Sequence, residues 1–337
     1  MLVRAARASD LASLTQLAIT AGAVLTTLPA SEEDLARRLR NVEASFRGEV
    51  DKADADYLLV LEDEDGKIIG TTGMLAAAGL RDPWYSYRLG LTVTASRELQ
   101  VYRQHPTLFL VNDLTGATAL CSLYLEPQFR EGEVGRLLSK ARFMFMAEFP
   151  QSFSPRVIVE MRGISDEHDR SPFWESLGRH FFRMEFSRAN YLTGIGSKAF
   201  IAEMMPKFPL YACFLSEEAR NAMGKVHPES ESNLEMAQEE GMSYQGYIDI
   251  FDGGATLEAP LEQIRAVQES RVLVLATGTP GDGAEPFLIH NRGREDCRIT
   301  CAPARVAAGT LVVAQETAVR LGVRAGTPVR AVSLYAK

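Results

Sequence analysis

Cysteine, tryptophan and histidine are scarce in this chain of 337 residues, which has four, two and five of them. None of Cys121, Cys213, Cys297 and Cys301 forms a CxxC pair. Cys297 and Cys301 lie four apart without a second ligand pair at metal spacing, so neither a disulfide framework nor a zinc site is expected. Free thiols in a reducing cytoplasm are the reading that remains. Positive charge is in deficit: 36 Lys+Arg against 44 Asp+Glu give a formal charge of −8. A general nucleic-acid binder, which neutralises phosphates with a basic face, is therefore excluded, but a small anion needing one local positive pocket is not. The uncharged run over residues 68–80 is shorter than the roughly 18–20 apolar residues of a membrane helix and carries three glycines. The basic residues Arg4 and Arg7 are followed by no apolar h-region, so no secretory signal is expected. Two nucleotide signatures are also missing: the P-loop GxxxxGK[ST], and GxGxxG after an N-terminal strand.

What is present is ordinary globular composition, 46% hydrophobic and 24% charged. The length suits two domains or one large one and can bury a sizeable core without staples. Residues Leu2 to Ala6 read as a strand, and Ser9-Asp10 cap a helix with Leu11, Leu14, Leu17 and Ala18 on one face. A capping box, Ser31-Glu-Glu-Asp34, opens a second helix through Leu35, Leu39 and Val42. Tyr57–Leu61 and Ile68–Ala78 flank the turn Asp63–Gly66 as a hairpin. Further β structure spans Arg81–Val111, and Thr118–Leu125 is the clearest buried strand. Pro127 ends it, a helix follows from about Glu133 to Glu148, and Arg156–Met161 is the next strand. Ser171-Pro172 opens a helix, with proline at its first position. Residues 191–222 read as helical with breaks at Pro206 and Pro209. A short helix over Asn233–Glu240 precedes a strand near Tyr244–Phe251. Beyond Glu258, short apolar runs alternate with Gly/Pro turns as a small β-rich tail.

Chemistry concentrates in Leu120–Lys140. An apolar strand passes through a glycine-bearing loop straight into a helix start, where backbone N–H groups are unpaired and the helix dipole adds positive potential. Glycine lets the main chain approach a phosphate closely, and Arg130 and Arg136 add charge at the same mouth. The segment Arg130-Glu-Gly-Glu-Val-Gly135 resembles the pyrophosphate loop of the GNAT acyltransferase superfamily, typically Arg/Gln-x-x-Gly-x-Gly/Ala after the fourth strand. It departs at the middle position, where Glu133 replaces glycine; a carboxylate beside a pyrophosphate is unfavourable unless its side chain points away. The order of strands and helices from Leu2 to about Phe186 also resembles that superfamily, including a later helix ending at Leu177-Gly178.

Blocks spread over the whole chain resemble the arginine N-succinyltransferase family. They are Leu25-Thr-Thr-Leu-Pro29, Asp82-Pro-Trp-Tyr85, Pro106-Thr-Leu-Phe-Leu110, the run Leu137–Met146, Glu160-Met-Arg-Gly163, Asp166-Glu-His168, Ser171-Pro-Phe-Trp174, Lys198–Glu203, Val226-His-Pro228 and Tyr247-Ile-Asp-Ile-Phe-Asp-Gly-Gly254. Within the family the chain is similar to one subunit of the paired-paralogue form. The resemblance implies an α+β, GNAT-like acyltransferase core with a mixed, mostly antiparallel sheet. Residues 1–255 would form that region and its helical extension, and 256–337 a small β-rich C-terminal subdomain. It implies succinyl transfer from succinyl-CoA to the α-amine of L-arginine or L-ornithine in arginine breakdown. No tightly bound cofactor or metal is implied; a homo-oligomer, or a hetero-oligomer with a paralogous subunit, is.

Roles follow position by position. The superfamily's splayed acyl-CoA strand falls on Leu123 to Leu125, whose main chain would meet pantetheine and thioester. The loop and helix start would contribute Arg130, Gly132, Val134, Gly135 and Arg136 to the acyl-CoA site. The family assigns a proton donor to the histidine of Val-His-Pro, here His227, held in extended backbone by Pro228. His168 is the second candidate. Recognition of a guanidinium asks for a carboxylate, for which Glu160, Asp166, Glu167 and Asp113 are candidates; the succinyl carboxylate asks for a cation, Arg162 or Arg88. Phe143–Met146 reads as helical core rather than ligand contact. Two rival readings stand beside the enzyme: a non-catalytic subunit supporting a paralogous partner, favoured by Glu133, and an acyltransferase for another amine.

Overall fold

The computed structural model describes residues 1–22, 25, 27–194 and 203–336. Most of the Lys198–Glu203 block and Thr26 therefore lie outside the described residues, as does part of the expected helical stretch 191–222. Fifteen strands appear among the described residues. They are β1 (Leu2–Ala5), β2 (Asp56–Glu62), β3 (Ile68–Leu75), β4 (Ser86–Ser96), β5 (Val101–Val111), β6 (Thr118–Leu125), β7 (Arg156–Glu160), β8 (Leu210–Tyr211), β9 (Ser243–Ile248), β10 (Ala255–Pro260), β11 (Arg271–Thr277), β12 (Glu285–His290), β13 (Arg298–Ala307), β14 (Thr310–Val313) and β15 (Pro328–Ser333). One sheet runs β12-β15-β11-β14-β13-β1-β2-β3-β6-β7-β10-β9-β4-β5-β8. Only β6–β7 and β11–β14 are parallel. The architecture is α+β, with a mixed, mostly antiparallel sheet flanked by helices.

Three of those helices are α1 (Leu11–Ala21), α2 (Glu32–Arg47) and α3 (Val134–Glu148). The Ser31 side chain accepts from the Asp34 N–H at the start of α2, three acidic residues fill its first turn, and Gly48 ends it at φ +75°. Its stripe Leu35, Leu39, Val42 and Phe46 is buried against β2. In α3, Leu137 to Ala147 are all buried, so Phe143–Met146 is core as expected. Burial on every side arises because α3 is covered by the sheet on one flank and by the segment Arg265–Glu269 and the tail strands on the others.

A longer uncharged run, residues 11–31, begins with α1. No helix among the described residues is long and apolar enough to cross a membrane. Two expectations change. The helix opened at Pro172 does not end at Gly178: it passes through a π-turn, Trp174–Gly178, and continues over Arg179–Phe182. A Cβ on Gly178 would lie 2.2 Å from the Trp174 ring, so the glycine admits the indole and the widened turn carries the chain past it. The tail is β-rich, but it also holds a helix, Gln315–Leu321, and β12 pairs with both β15 and β13. The five tail strands thus close on themselves around Leu275, Ile289, Leu311, Val313 and Val329.

Candidate active site

β6 and β7 run parallel and share register only over Thr118–Leu120 and Val157–Val159. From Cys121 onward β6 is paired on its β3 side alone, so the two strands part toward their C-terminal ends. A bulge marks the parting: Ser122 sits at φ +52°, and the register against β3 slips between Thr71 and Gly73. Ser122 is stitched in place by side chains from distant parts of the chain. Its N–H donates to Thr27 Oγ1 at 2.9 Å, and its carbonyl accepts from Thr71 Oγ1 at 2.6 Å. Arg38 of α2, bound to Asp56, donates to the Ser122 hydroxyl at 3.1 Å. Leu123 is half-buried and Leu125 buried along the parted segment.

The chain then turns through Pro127–Phe129 and reaches α3. Gly132 adopts φ +74°, and Glu133 occupies the N-cap without capping the helix by its side chain. The first helical bond runs from Leu137 N–H to the Glu133 carbonyl, leaving the N–H groups of Val134, Gly135 and Arg136 outside the helical ladder. A Cβ on Gly132 or Gly135 would meet nothing within 4 Å. The mouth is therefore open main chain. Arg130 stands over it, its Nε donating to the Leu125 carbonyl at 3.0 Å and its guanidinium over the Tyr124 ring.

The Glu133 carboxylate points away from this mouth. It accepts from the Tyr335 hydroxyl at 3.3 Å and from Cys301 Sγ at 3.7 Å, both in the tail. Burial, then the charge of Glu133, pushes the Cys301 thiol up to about 12, and the Tyr335 phenol is raised too. Arg136 is drawn the same way, ion-paired to Glu239 and 5.2 Å above the Tyr335 ring. Its backbone N–H faces the mouth while its charge is shared with Glu239.

His227 lies at the same end of the sheet, because β7 is parallel to β6 and the residues just past β7 hold it. The His227 N–H donates to the Arg162 carbonyl at 2.8 Å, and Nδ1 accepts from the Glu229 N–H at 3.2 Å. In the neutral ring the proton thus resides on Nε2. Burial and then the Arg162 guanidinium lower the imidazole below its ordinary range, while Glu229 and the Ser165 main chain oppose them. Arg162 is itself held by Glu229 at 3.1 Å and Asp169 at 3.2 Å. After His227 the helix Glu231–Glu239 runs back to α3, where Glu239 meets Arg136 and Lys140, joining the histidine's segment to the glycine mouth.

The remaining candidates are placed otherwise. Glu160 accepts from the Trp84 indole at 3.2 Å. Asp166 accepts from the N–H groups of His168 and Arg170 at 2.9 Å each, shaping an exposed turn, and those bonds, that of Arg170 first, hold its carboxyl below the usual carboxylate range. His168 is 69% exposed beside Glu167 on that turn, unlike the enclosed His227. Asp113 accepts from the Tyr247 hydroxyl, and Arg88 pairs with Asp113 on β4, three strands beyond β7. No cluster of three or more metal-ligating side chains occurs among the described residues.

The model of the arginine N-succinyltransferase beta subunit matches residues 1–266, and that of its C-terminal domain matches residues 269–333. The chain belongs to the arginine N-succinyltransferase family. It is 61% identical to arginine N-succinyltransferase subunit beta of Pseudomonas aeruginosa, over 100% of this chain and 99% of the relative. It is 46% identical to an arginine N-succinyltransferase of Escherichia coli, over 100% and 98%. The solved structure of arginine/ornithine succinyltransferase subunit AI from P. aeruginosa superposes with a TM-score of 0.90 at 34% identity, covering 99% of both chains.

Sequence reasoning missed the parts of this succinyltransferase-family site that depend on distant contacts. Thr27, Arg38 and Asp56 hold the bulge, yet nothing in their spacing points to Ser122. Asp252 is a second omission: its carboxylate accepts from Gly163 N–H at 2.7 Å and Gly254 N–H at 2.8 Å, fastening the exit of β7 next to Arg162. Burial and the adjoining Asp249 raise it above the usual carboxylate range. The block Tyr247–Gly254 was the available signal, since Asp-Gly-Gly marks a tight turn.

Proposed function

We propose that this chain transfers a succinyl group from succinyl-CoA to the α-amine of L-arginine, or of L-ornithine, by direct attack of the amine on the thioester. The observation that carries the reading is the parting of β6 from β7 at the Ser122 bulge, with the open α3 start and His227 at the same end of the sheet. The pyrophosphate would rest on the N–H groups of Val134, Gly135 and Arg136, with Gly132 leaving room and Arg130 adding charge. The main chain of Leu123 to Leu125, free of a β7 partner, would pair with the pantetheine and offer an N–H to the thioester oxygen as negative charge develops there.

His227 is lowered and begins neutral; in this reading the ammonium first gives one proton to solvent, and His227 takes the second from the nitrogen as the C–N bond forms. As the C–S bond breaks, the imidazolium returns that second proton to the departing thiolate, the donor role. Arg162 orients His227 and disfavours its charged form until the proton arrives. For the substrate's guanidinium, Glu160 and the Asp166–His168 turn are our candidates, on the β7 exit beside His227. We also propose the functional division 1–255 and 256–337. The separate apolar cluster of the tail supports it, and β10 joins the second segment to the core sheet. An oligomer, of this chain alone or with a paralogue, is supported by the β4–β5 hairpin, where Leu91, Leu99 and Tyr102 are exposed. Free cysteines suit a cytoplasmic enzyme.

A non-catalytic subunit was favoured by Glu133 alone, and that carboxylate is engaged by the tail. The experiment is release of CoA thiol from succinyl-CoA by the purified chain with arginine, ornithine, lysine or no amine. Arginine-dependent release is expected. Absence of both release and succinyl-CoA binding refutes the proposal, and preference for another amine replaces the acceptor.

A further inference from the structure

Three Lys or Arg side chains are buried among the described residues: Lys140, Arg265 and Arg142. Two of them have a carboxylate. Lys140 contacts Glu240 at 3.1 Å and Arg265 contacts it at 2.7 Å. Arg142, only 4% exposed, has none. Its Nε donates to the Ser139 carbonyl at 2.9 Å and Nη2 to Ser139 Oγ at 3.0 Å, both on its own helix, leaving Nη1 without a hydrogen bond among the described residues. The Phe143 ring lies 5.7 Å from the guanidinium and carries no formal charge. Burial lowers Arg142 to about 10, with Cys121 as the one group opposing it. Taking a guanidinium out of water without a counter-charge is unfavourable, and an apolar side chain at this core position would avoid that cost. The bonds to Ser139 fix the plane of the fork, which suits a carboxylate.

Position points to which carboxylate. Arg142 lies eight residues into α3 from Val134, about 12 Å back from the mouth at 1.5 Å per residue. Cys121, with which it interacts, lies four residues before Leu125, about 13 Å back along β6 at 3.3 Å per residue. A ligand whose pyrophosphate rests on the mouth extends along β6 toward the bulge, and Arg142 is the unpaired cation at that level. We infer that Arg142 binds the free carboxylate of the acyl group and makes the site selective for a dicarboxylic acyl-CoA, an inference that rests on the acyl-CoA reading proposed above.

The test compares succinyl-CoA with butyryl-CoA, which has a methyl group where succinyl has its carboxylate, by calorimetric binding and by turnover. The proteins are the wild type, Arg142→Gln and Arg142→Met, and the acceptors are arginine and argininamide. The wild type should bind succinyl-CoA more tightly than butyryl-CoA. Arg142→Gln should lose about 10²-fold for succinyl-CoA, the worth of a charge-assisted bidentate pair, with butyryl-CoA changed less than about threefold. Arg142→Met should melt no lower than the wild type, because it removes an uncompensated buried charge. Equal losses with both acyl-CoAs, or a wild type that does not discriminate between them, overturn the inference. Collapse of the arginine/argininamide ratio instead assigns Arg142 to the acceptor's carboxylate and also overturns it. Discriminating binding without turnover sustains Arg142 and refutes the catalytic reading alone.

Discussion

His290 should make the folded protein sensitive to mild acid, by an amount the structure sets. It ends β12 with no exposure, its ring edge-on to Phe145 and Phe149 with centroids 6.3 and 6.2 Å away. Nδ1 accepts from the Arg292 N–H at 3.2 Å and Nε2 lies 3.4 Å from Cys297 Sγ, so the neutral ring is satisfied. Burial, then the charges of Arg330 and Arg292, push it down to about 3 from the ordinary 6.5. The unfolded chain therefore binds this proton at a pH where the folded chain cannot. The contribution is intact above 6.5 and falls by about 1.4 kcal/mol per pH unit below it, until the folded value is reached. Between pH 6.5 and 4.5 the loss is about 2.3 kcal/mol from this residue alone. Urea denaturation at half-unit steps, on the wild type and His290→Gln, isolates it. Glu148, which pairs with Arg292 and Arg330, is present in both proteins, so its contribution cancels. Parallel curves for the two proteins would refute the reasoning; the expected result is a wild-type curve steeper by about one proton.

Other perturbations test the proposed site. His227→Ala should lower turnover by about 10²–10⁴ with little change in succinyl-CoA affinity, measured by steady-state thiol release; a near-normal rate removes it from the mechanism. Because burial and Arg162 both lower His227, the acid limb of kcat/KM should lie below 6.5, and Arg162→Met should move it upward in a pH–rate profile. Gly135→Ala should leave stability unchanged or raise it by up to about 1 kcal/mol. The added methyl would stand on the open mouth, so the KM for succinyl-CoA should rise at least about tenfold; an unchanged KM would place the pyrophosphate elsewhere. Glu240→Ala leaves Lys140 and Arg265 buried without their shared carboxylate and should cost about 3–5 kcal/mol in urea denaturation. A loss under about 1 kcal/mol would show that water reaches the pair.

Local chemistry made much of this legible in the sequence. Ser31 with its acidic followers forms a cap whatever lies around it, and the strand–glycine–helix passage at Leu125–Val134 marks an open helix start, our proposed anion mouth, without tertiary knowledge. Periodicity marked Leu35, Leu39 and Val42 as a buried stripe for the same reason. What escaped depends on partners far along the chain. Arg142 reads as an ordinary helical cation until both flanks of α3 are seen to be covered. The bulge at Ser122 is fixed by Thr27, 95 residues away. The helix past Gly178 was cut short because Leu-Gly resembles a C-terminus, whereas that glycine makes room for Trp174.

Glu133 shows how one residue can look wrong locally and fit globally. As a replacement for glycine in an anion loop it subtracts charge where charge is wanted. Its carboxylate is instead taken up by Tyr335 and Cys301, so the tail, which is absent from a short GNAT-like motif, reaches the loop through it. Arg136 turns the same way and meets Glu239. With one acid and one base both directed outward, the mouth keeps the main-chain N–H groups of three residues and the single guanidinium of Arg130. Oriented dipoles act at short range and do not depend on net charge. On the proposed reading, a protein with a formal charge of −8 would hold a polyanionic co-substrate at this helix start without a basic surface to attract nucleic acid.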